Sequence, residues 1–220
     1  MNALTTAFTI ARSELILGGQ KSGKSRRAEA LAQRWLAQSG AHQAVLIATA
    51  QAWDDEMRAR IARHQADRLM RVPGMTTVEE PLKLAEAILS HSRADTLIVV
   101  DCLTLWLTHL LMPFDVPPDV TPPAHAALAT AGQGVQNCEQ NKPLEHEQKA
   151  PTAMLLKAIE GAPGPLVLVG NEIGLGVIPL GREVRAFVDA LGMLNQSVAS
   201  QCQRVTLMAA GLPLTLKDAA

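Results

Sequence analysis

Five short stretches of this chain are apolar with no polar alternation. They are Leu15-Ile16-Leu17, 44–49, 96–101, 165–170 and 205–209. Such runs, three to six residues long and rich in Val, Ile and Leu, predict strands covered on both faces, as in a parallel sheet. Between them the apolar residues recur at helical spacing. This predicts helices over 25–37, 54–68, 77–90, 103–111, from 152 to a stop by Gly161, and 182–201. A short edge piece is expected at 214–217. Strands alternating with helices give an α/β fold: a doubly wound, mainly parallel sheet with helices on both faces. Ligands of such sheets bind at the carboxyl ends of the strands.

The pattern lapses over residues 113–151. Seven of the thirteen prolines fall there, with Gly132, Gly134 and a Glu/Gln/Lys-rich stretch. A mobile insertion is expected, within a single domain spanning 1–220. Residues 1–12 have neither the basic start nor the apolar core of a signal peptide and are expected to form a loose N-terminal extension.

Composition adds exclusions. The 220 residues suffice for a sizeable core, and 48% are hydrophobic. A net charge of −1 without a basic block argues against a nucleic-acid partner. No apolar run approaches the length of a membrane span. Cys102, Cys138 and Cys202 are far apart and show no metal spacing, which points to a reducing, cytoplasmic setting.

The first strand runs straight into Gly18-Gly19-Gln20-Lys21-Ser22-Gly23-Lys24-Ser25, which satisfies G-x-x-x-x-G-K-[ST] without a mismatch. Strand, Gly-rich loop and helix together make a phosphate site of the P-loop type. The glycines let backbone N–H groups converge on an anion, and the helix N-terminus adds partial positive charge. Lys24 is expected on the β- and γ-phosphates, and Ser25 on Mg²⁺. Asp101 closes an apolar strand, where P-loop enzymes keep the acid that organises Mg²⁺ and its waters; capping the helix at Leu103 is a compatible second role, and the P-loop partner favours the metal one. On the 54–68 helix, Glu56 and Arg60 stand at i, i+4. Arg60, His64 and Arg68 repeat at i, i+4, i+8 on one face. Two guanidiniums beside an imidazole can clamp a triphosphate and keep the imidazole neutral. Taken alone, the same stripe describes a solvated surface.

These segments, taken jointly in order and spacing, resemble the adenosylcobinamide kinase/adenosylcobinamide-phosphate guanylyltransferase family of cobalamin biosynthesis. The resemblance rests on the P-loop with Arg26, on Ile47-Ala48-Thr49-Ala50-Gln51, on 54–65 ending Arg63-His64-Gln65, and on Thr77-Val78-Glu79-Glu80-Pro81. It continues through 100–108, 171–179 and Leu194-Asn195-Gln196, leaving out only the N-terminal extension and 113–151.

The resemblance implies two reactions. A nucleoside triphosphate, ATP or GTP, phosphorylates adenosylcobinamide. GTP then gives GMP to adenosylcobinamide phosphate through a guanylylated histidine, releasing pyrophosphate. It also implies Mg²⁺, a homotrimer and a cytoplasmic enzyme. His64 matches the nucleophile; the P-loop, Thr49, Ala50, Gln51, Glu79 and Asp101 match the guanine-nucleotide contacts. The departures are the 113–151 insertion, His109 where asparagine is expected, and Met193 where arginine is common. Two other readings fit the P-loop alone: a small-molecule kinase without a covalent intermediate, and a non-catalytic GTP-binding module. The second lacks a guanine-reading N/T-K-x-D stretch.

Overall fold

In a computed structural model, the chain is described at residues 10–52, 55–112 and 149–219. The expected mobility of 113–148, residues 1–9 and Asp54 lie outside the described residues. So do the side chains of Arg60 and His64.

The described elements are, in chain order, β1 (Ser13–Gly18), α1 (Lys24–Gln38), β2 (Gln43–Ala48), α2 (Asp55–Arg71), β3 (Met75–Glu79), α3 (Leu84–His91), β4 (Thr96–Asp101) and α4 (Leu103–Leu111). They continue with α5 (Lys149–Gly161), β5 (Leu166–Val169), α6 (Arg182–Gln201), β6 (Arg204–Ala209) and β7 (Leu212–Asp218). One seven-stranded sheet runs in the order β3-β2-β4-β5-β1-β6-β7. All pairings are parallel except β6 with β7.

The unbroken apolar runs become strands because both of their faces are covered. Along β1, Leu15 and Leu17 join one core with Ile98, Val100 and Leu168, under α3 to α6. Ile16 points the other way, into a second core with Leu46, Val99, Val167 and the α1 residues Ala28, Leu31 and Ala32. This is the period-2 alternation of a strand read into two hydrophobic layers.

Three expectations need correction. The helix expected over 77–90 is in fact strand β3 followed by the shorter α3. β-Branched Thr76, Thr77 and Val78 favour the pleated edge position, paired with β2. Pro81 then interrupts the chain, and Glu80 Oε1 accepts from the N–H groups of Leu82 at 3.0 Å and Lys83 at 2.8 Å, which starts α3. The helix after the insertion begins at Lys149 rather than at 152, since Pro151 sits in its first turn, where no N–H is needed. The last three residues of the extension are not loose. Ala11 is buried, the Arg12 N–H donates to Gln203 Oε1 at 2.9 Å, and the Arg12 guanidinium reaches the carbonyls of Glu160 and Ala162.

Candidate nucleotide site

The row of residues at the strand ends sets the site. Parallel register puts Glu79, Ala48, Asp101, Val169 and Ile16 side by side across β3, β2, β4, β5 and β1. Asp101 and Glu79 are two strands apart, about 10 Å at ordinary strand spacing. β5 separates the P-loop strand from the Asp101 strand, so the gap between them must be bridged from α1.

The loop itself is shaped by its glycines. Gly18 has φ 153°, and a Cβ there would meet the Met208 carbonyl at 2.5 Å. Gly23 has φ 100° and lies against Gly211, where a Cβ would come within 3.3 Å of its Cα. Both positions therefore require glycine. The loop is tied at two more points: Glu172 N–H donates to the Gly18 carbonyl at 3.1 Å, and Gly211 N–H donates to that of Ser22 at 3.1 Å.

Inside this frame stand the groups that would meet phosphate. Lys24 Nζ donates to the Gly19 carbonyl at 2.6 Å. Burial pulls its amine below the ordinary lysine value, against the pull of the nearby acid Asp101. Ser22 Oγ is buried with no hydrogen-bond partner among the described residues. Such an orphaned hydroxyl at the floor of a Gly-rich loop is suited to a phosphate oxygen. Ser25 Oγ donates to Asp101 Oδ2 at 3.0 Å, which closes the gap between α1 and β4.

A hydroxyl beside a carboxylate is the hard-oxygen pair that Mg²⁺ takes when phosphates and waters complete its shell. Ser25 and Asp101 therefore fit the ion. The described residues hold no cluster of three or more His, Cys, Asp or Glu that could bind a metal without a nucleotide.

Helix α2 is fastened to this crevice at two places. Near its middle, Gln65 Nε2 donates to Glu79 Oε1 at 3.3 Å, at the rim of the sheet. At its end, Arg71 pairs with Glu29 of α1 at 2.9 Å and with Asp67 at 3.1 Å. The Glu29 hydrogen bond and charge raise the Arg71 pKa further. Arg68 Nε is buried and unpaired among the described residues. These ties hold α2 at the end of the sheet where the P-loop lies.

Thr49 is placed differently from the expectation of a nucleotide contact. Its side chain is fully buried, with its hydroxyl on the backbone of Cys102. Ala50 and Gln51, half-buried, follow it at the rim. His109, where the resemblance leads one to expect asparagine, is buried on α4 with Nε2 at 2.9 Å from the Thr49 carbonyl. Nothing in its spacing along the sequence pairs it with Thr49, which is sixty residues away.

Beside the P-loop, a groove of about 990 Å³ runs between residues 172–179 and α6, lined by Leu175, Val177, Asp189, Met193 and Asn195 among others. Residues 171–179 entered the sequence reading as one of the segments that carry the family resemblance.

Comparison with known proteins shows the family. A family model described as cobinamide kinase / cobinamide phosphate guanyltransferase matches residues 14–216. The chain is 43% identical over 204 residues to the bifunctional adenosylcobalamin biosynthesis protein CobP of Pseudomonas aeruginosa, covering 93% of this chain and 96% of that protein. It is 34% identical to the bifunctional adenosylcobalamin biosynthesis protein CobU of Escherichia coli, covering 92% and 98%, and 32% identical to that of Salmonella typhimurium, with the same coverages. Among solved structures it is similar to the flagellar accessory protein FlaH of Methanocaldococcus jannaschii, at 10% identity and TM-score 0.45, over 95% of this chain and 80% of that one. By extent of match and by identity over nearly its whole length, the chain belongs to the cobinamide kinase / cobinamide phosphate guanyltransferase family.

Proposed function

We propose that this chain carries out both reactions of its family at one nucleotide crevice, with His64 as the guanylyl acceptor. Adenosylcobinamide is the first acceptor and takes the γ-phosphoryl of ATP or GTP. Adenosylcobinamide phosphate is the second and takes GMP from GTP. The observation that carries this reading is the joining of α2 to the P-loop end of the sheet through Gln65–Glu79, one residue along from His64.

The residues divide the work by charge and position. Backbone amides of Gly19, Gln20, Lys21, Ser22 and Gly23 cradle the phosphates, and Lys24 exchanges the Gly19 carbonyl for a β- or γ-phosphate oxygen. Ser22 Oγ gains the partner it lacks. Ser25 and Asp101 would hold Mg²⁺, which when bound neutralises phosphate charge and orients the leaving oxygens. Arg60 and Arg68 clamp the triphosphate, and Glu79 and Gln51 border the base. In the guanylyl half-reaction a ring nitrogen of His64 attacks the α-phosphorus. The bond to pyrophosphate breaks and a phosphoramidate forms. A phosphate oxygen of adenosylcobinamide phosphate then attacks the same phosphorus and frees the imidazole. Two displacements with a neutral nucleophile between them replace one direct encounter of two anions.

A homotrimer is proposed for the assembly, supported by the exposed apolar residues Leu175, Val177 and Leu180 around the groove. The cytoplasm is the proposed compartment, since both reactions draw on nucleoside triphosphates. No helix among the described residues is long and apolar enough to cross a membrane.

Incubation with GTP and adenosylcobinamide phosphate tests the activity. Adenosylcobinamide-GDP, identified by mass, is the expected product. Its absence, with nucleotide binding intact, favours a plain P-loop kinase.

A further inference from the structure

Thr49 makes hydrogen bonds with three backbone atoms of its neighbour strand's end. Its N–H donates to the Asp101 carbonyl at 3.1 Å. Its hydroxyl donates to the Cys102 carbonyl at 2.7 Å and accepts from the Cys102 N–H at 2.8 Å. One residue therefore fixes the peptide on which Asp101 hangs. The Thr49 carbonyl is in turn held by His109 Nε2 at 2.9 Å. A carbonyl only accepts, so Nε2 carries the hydrogen and the tautomer is set.

The chain of contacts reads His109, Thr49, Asp101–Cys102, and then, through the Asp101 carboxylate, Ser25. Its first two members are buried, at 7% and 0% exposure. Neither is placed to meet a nucleotide through its side chain. We infer that Thr49 and His109 are positioning residues that set the Asp101 carboxylate against Ser25, and so tune how the site takes the Mg²⁺ that accompanies a nucleotide.

The inference rests on the reading that Ser25 and Asp101 hold the ion. It extends that reading to two residues that touch neither ion nor substrate. It also accounts for histidine at 109, where the family resemblance leads one to expect asparagine. The two side chains share a neutral N–H donor, and a donor to the Thr49 carbonyl is what the position requires. Outer residues that orient a metal-facing carboxylate typically change metal affinity by 10–100-fold when removed.

The test is the Mg²⁺ dependence of nucleotide binding, not turnover. The affinity for guanosine 5′-(α,β-methylene)triphosphate, which resists guanylyl transfer, is measured calorimetrically in Mg²⁺ and in EDTA. D101N should lose most of the Mg²⁺-dependent gain. T49V and H109L should lose roughly tenfold or more of it while keeping the wild-type affinity in EDTA. T49S and H109N should restore it, because each returns the group that makes the bond. Thermal unfolding in EDTA checks that every variant is folded; should T49V fail that check, H109L against H109N decides. Folded T49V and H109L with the wild-type gain overturn the inference, as does H109N behaving like H109L. If D101N itself keeps the gain, the reading of Asp101 fails instead.

Discussion

Lys24 is the residue on which both proposed reactions converge. Its ammonium donates to the Gly19 carbonyl, and burial lowers its pKa. Phosphate charge reverses that penalty, so the lysine gains most when the substrate arrives. Lys24→Ala should therefore lower both turnover rates by roughly 10²-fold or more, within the range seen when one charge-stabilising donor is removed. The fold should stay intact, as judged by circular dichroism. Near-wild-type turnover in either assay would contradict a shared site.

His109 gives a pH signature. Burial holds its imidazole below the ordinary value of 6.5. The unfolded chain therefore takes up a proton near pH 6.5 that the folded chain refuses, and stability falls as pH drops through that value. Wild-type Tm should decline more between pH 7.5 and 5.5 than that of His109→Asn; equal declines would refute a neutral, buried His109. The strand, Gly-rich loop and helix around 18–25 and the place of Asp101 at the end of β4 were legible in the sequence, because each depends on local order along the chain. The burial of Thr49 and His109 was not, because it arises from packing between β2, β4 and α4.

At the scale of elements, an ionic cluster pins β1, β6 and α1 together beneath the site. Glu14, 1% exposed, accepts from Arg27 Nη2 at 2.8 Å, Arg27 Nε at 3.0 Å and Thr206 Oγ1 at 2.8 Å. Arg204 lies 3.8 Å from its other oxygen and is held by Asp218 of β7. Removing one partner of a buried ion pair leaves the other charge uncompensated. Glu14→Ala should thus cost about 3–5 kcal/mol of folding stability, measured by urea unfolding. A loss within experimental error would show the cluster to be dispensable. The central strands were read correctly from the sequence because short, unbroken apolar runs of three to six residues between turn signals have few alternatives. β3 was misread as helix because an edge strand is half exposed. Its Thr-Thr-Val run therefore lacks the unbroken apolar signature, and the helical spacing of Leu84, Ala85 and Ile88 spread backward over it. The antiparallel β7 showed in the sequence only as a short edge piece, its exposed Leu212, Leu214 and Leu216 giving a pattern unlike that of the central strands.

Across the described residues, the most exposed apolar side chains fall in the segment after β5. Val177 and Leu180 are 96% and 97% exposed, and Ile178 and Leu175 stand beside them. In the proposed homotrimer this surface packs against another copy of the chain. Sedimentation should then give three times the chain mass for the wild type and a lighter species for a Val177→Glu, Leu180→Glu double variant. An unchanged mass in the variant would remove these residues from the interface. The central claim concerns His64 on α2, the helix joined to the carboxyl end of the sheet through Gln65 and Glu79. It is tested most directly by exposing the protein to GTP labelled with ³²P at the α-phosphorus, without a corrinoid acceptor. A phosphoramidate survives alkali and is lost in mild acid, unlike a serine or threonine ester. The account predicts protein-bound label with that stability in the wild type and none in His64→Ala, which should still bind nucleotide. Acid-labile label of wild-type intensity on His64→Ala would place the acceptor elsewhere and contradict the account.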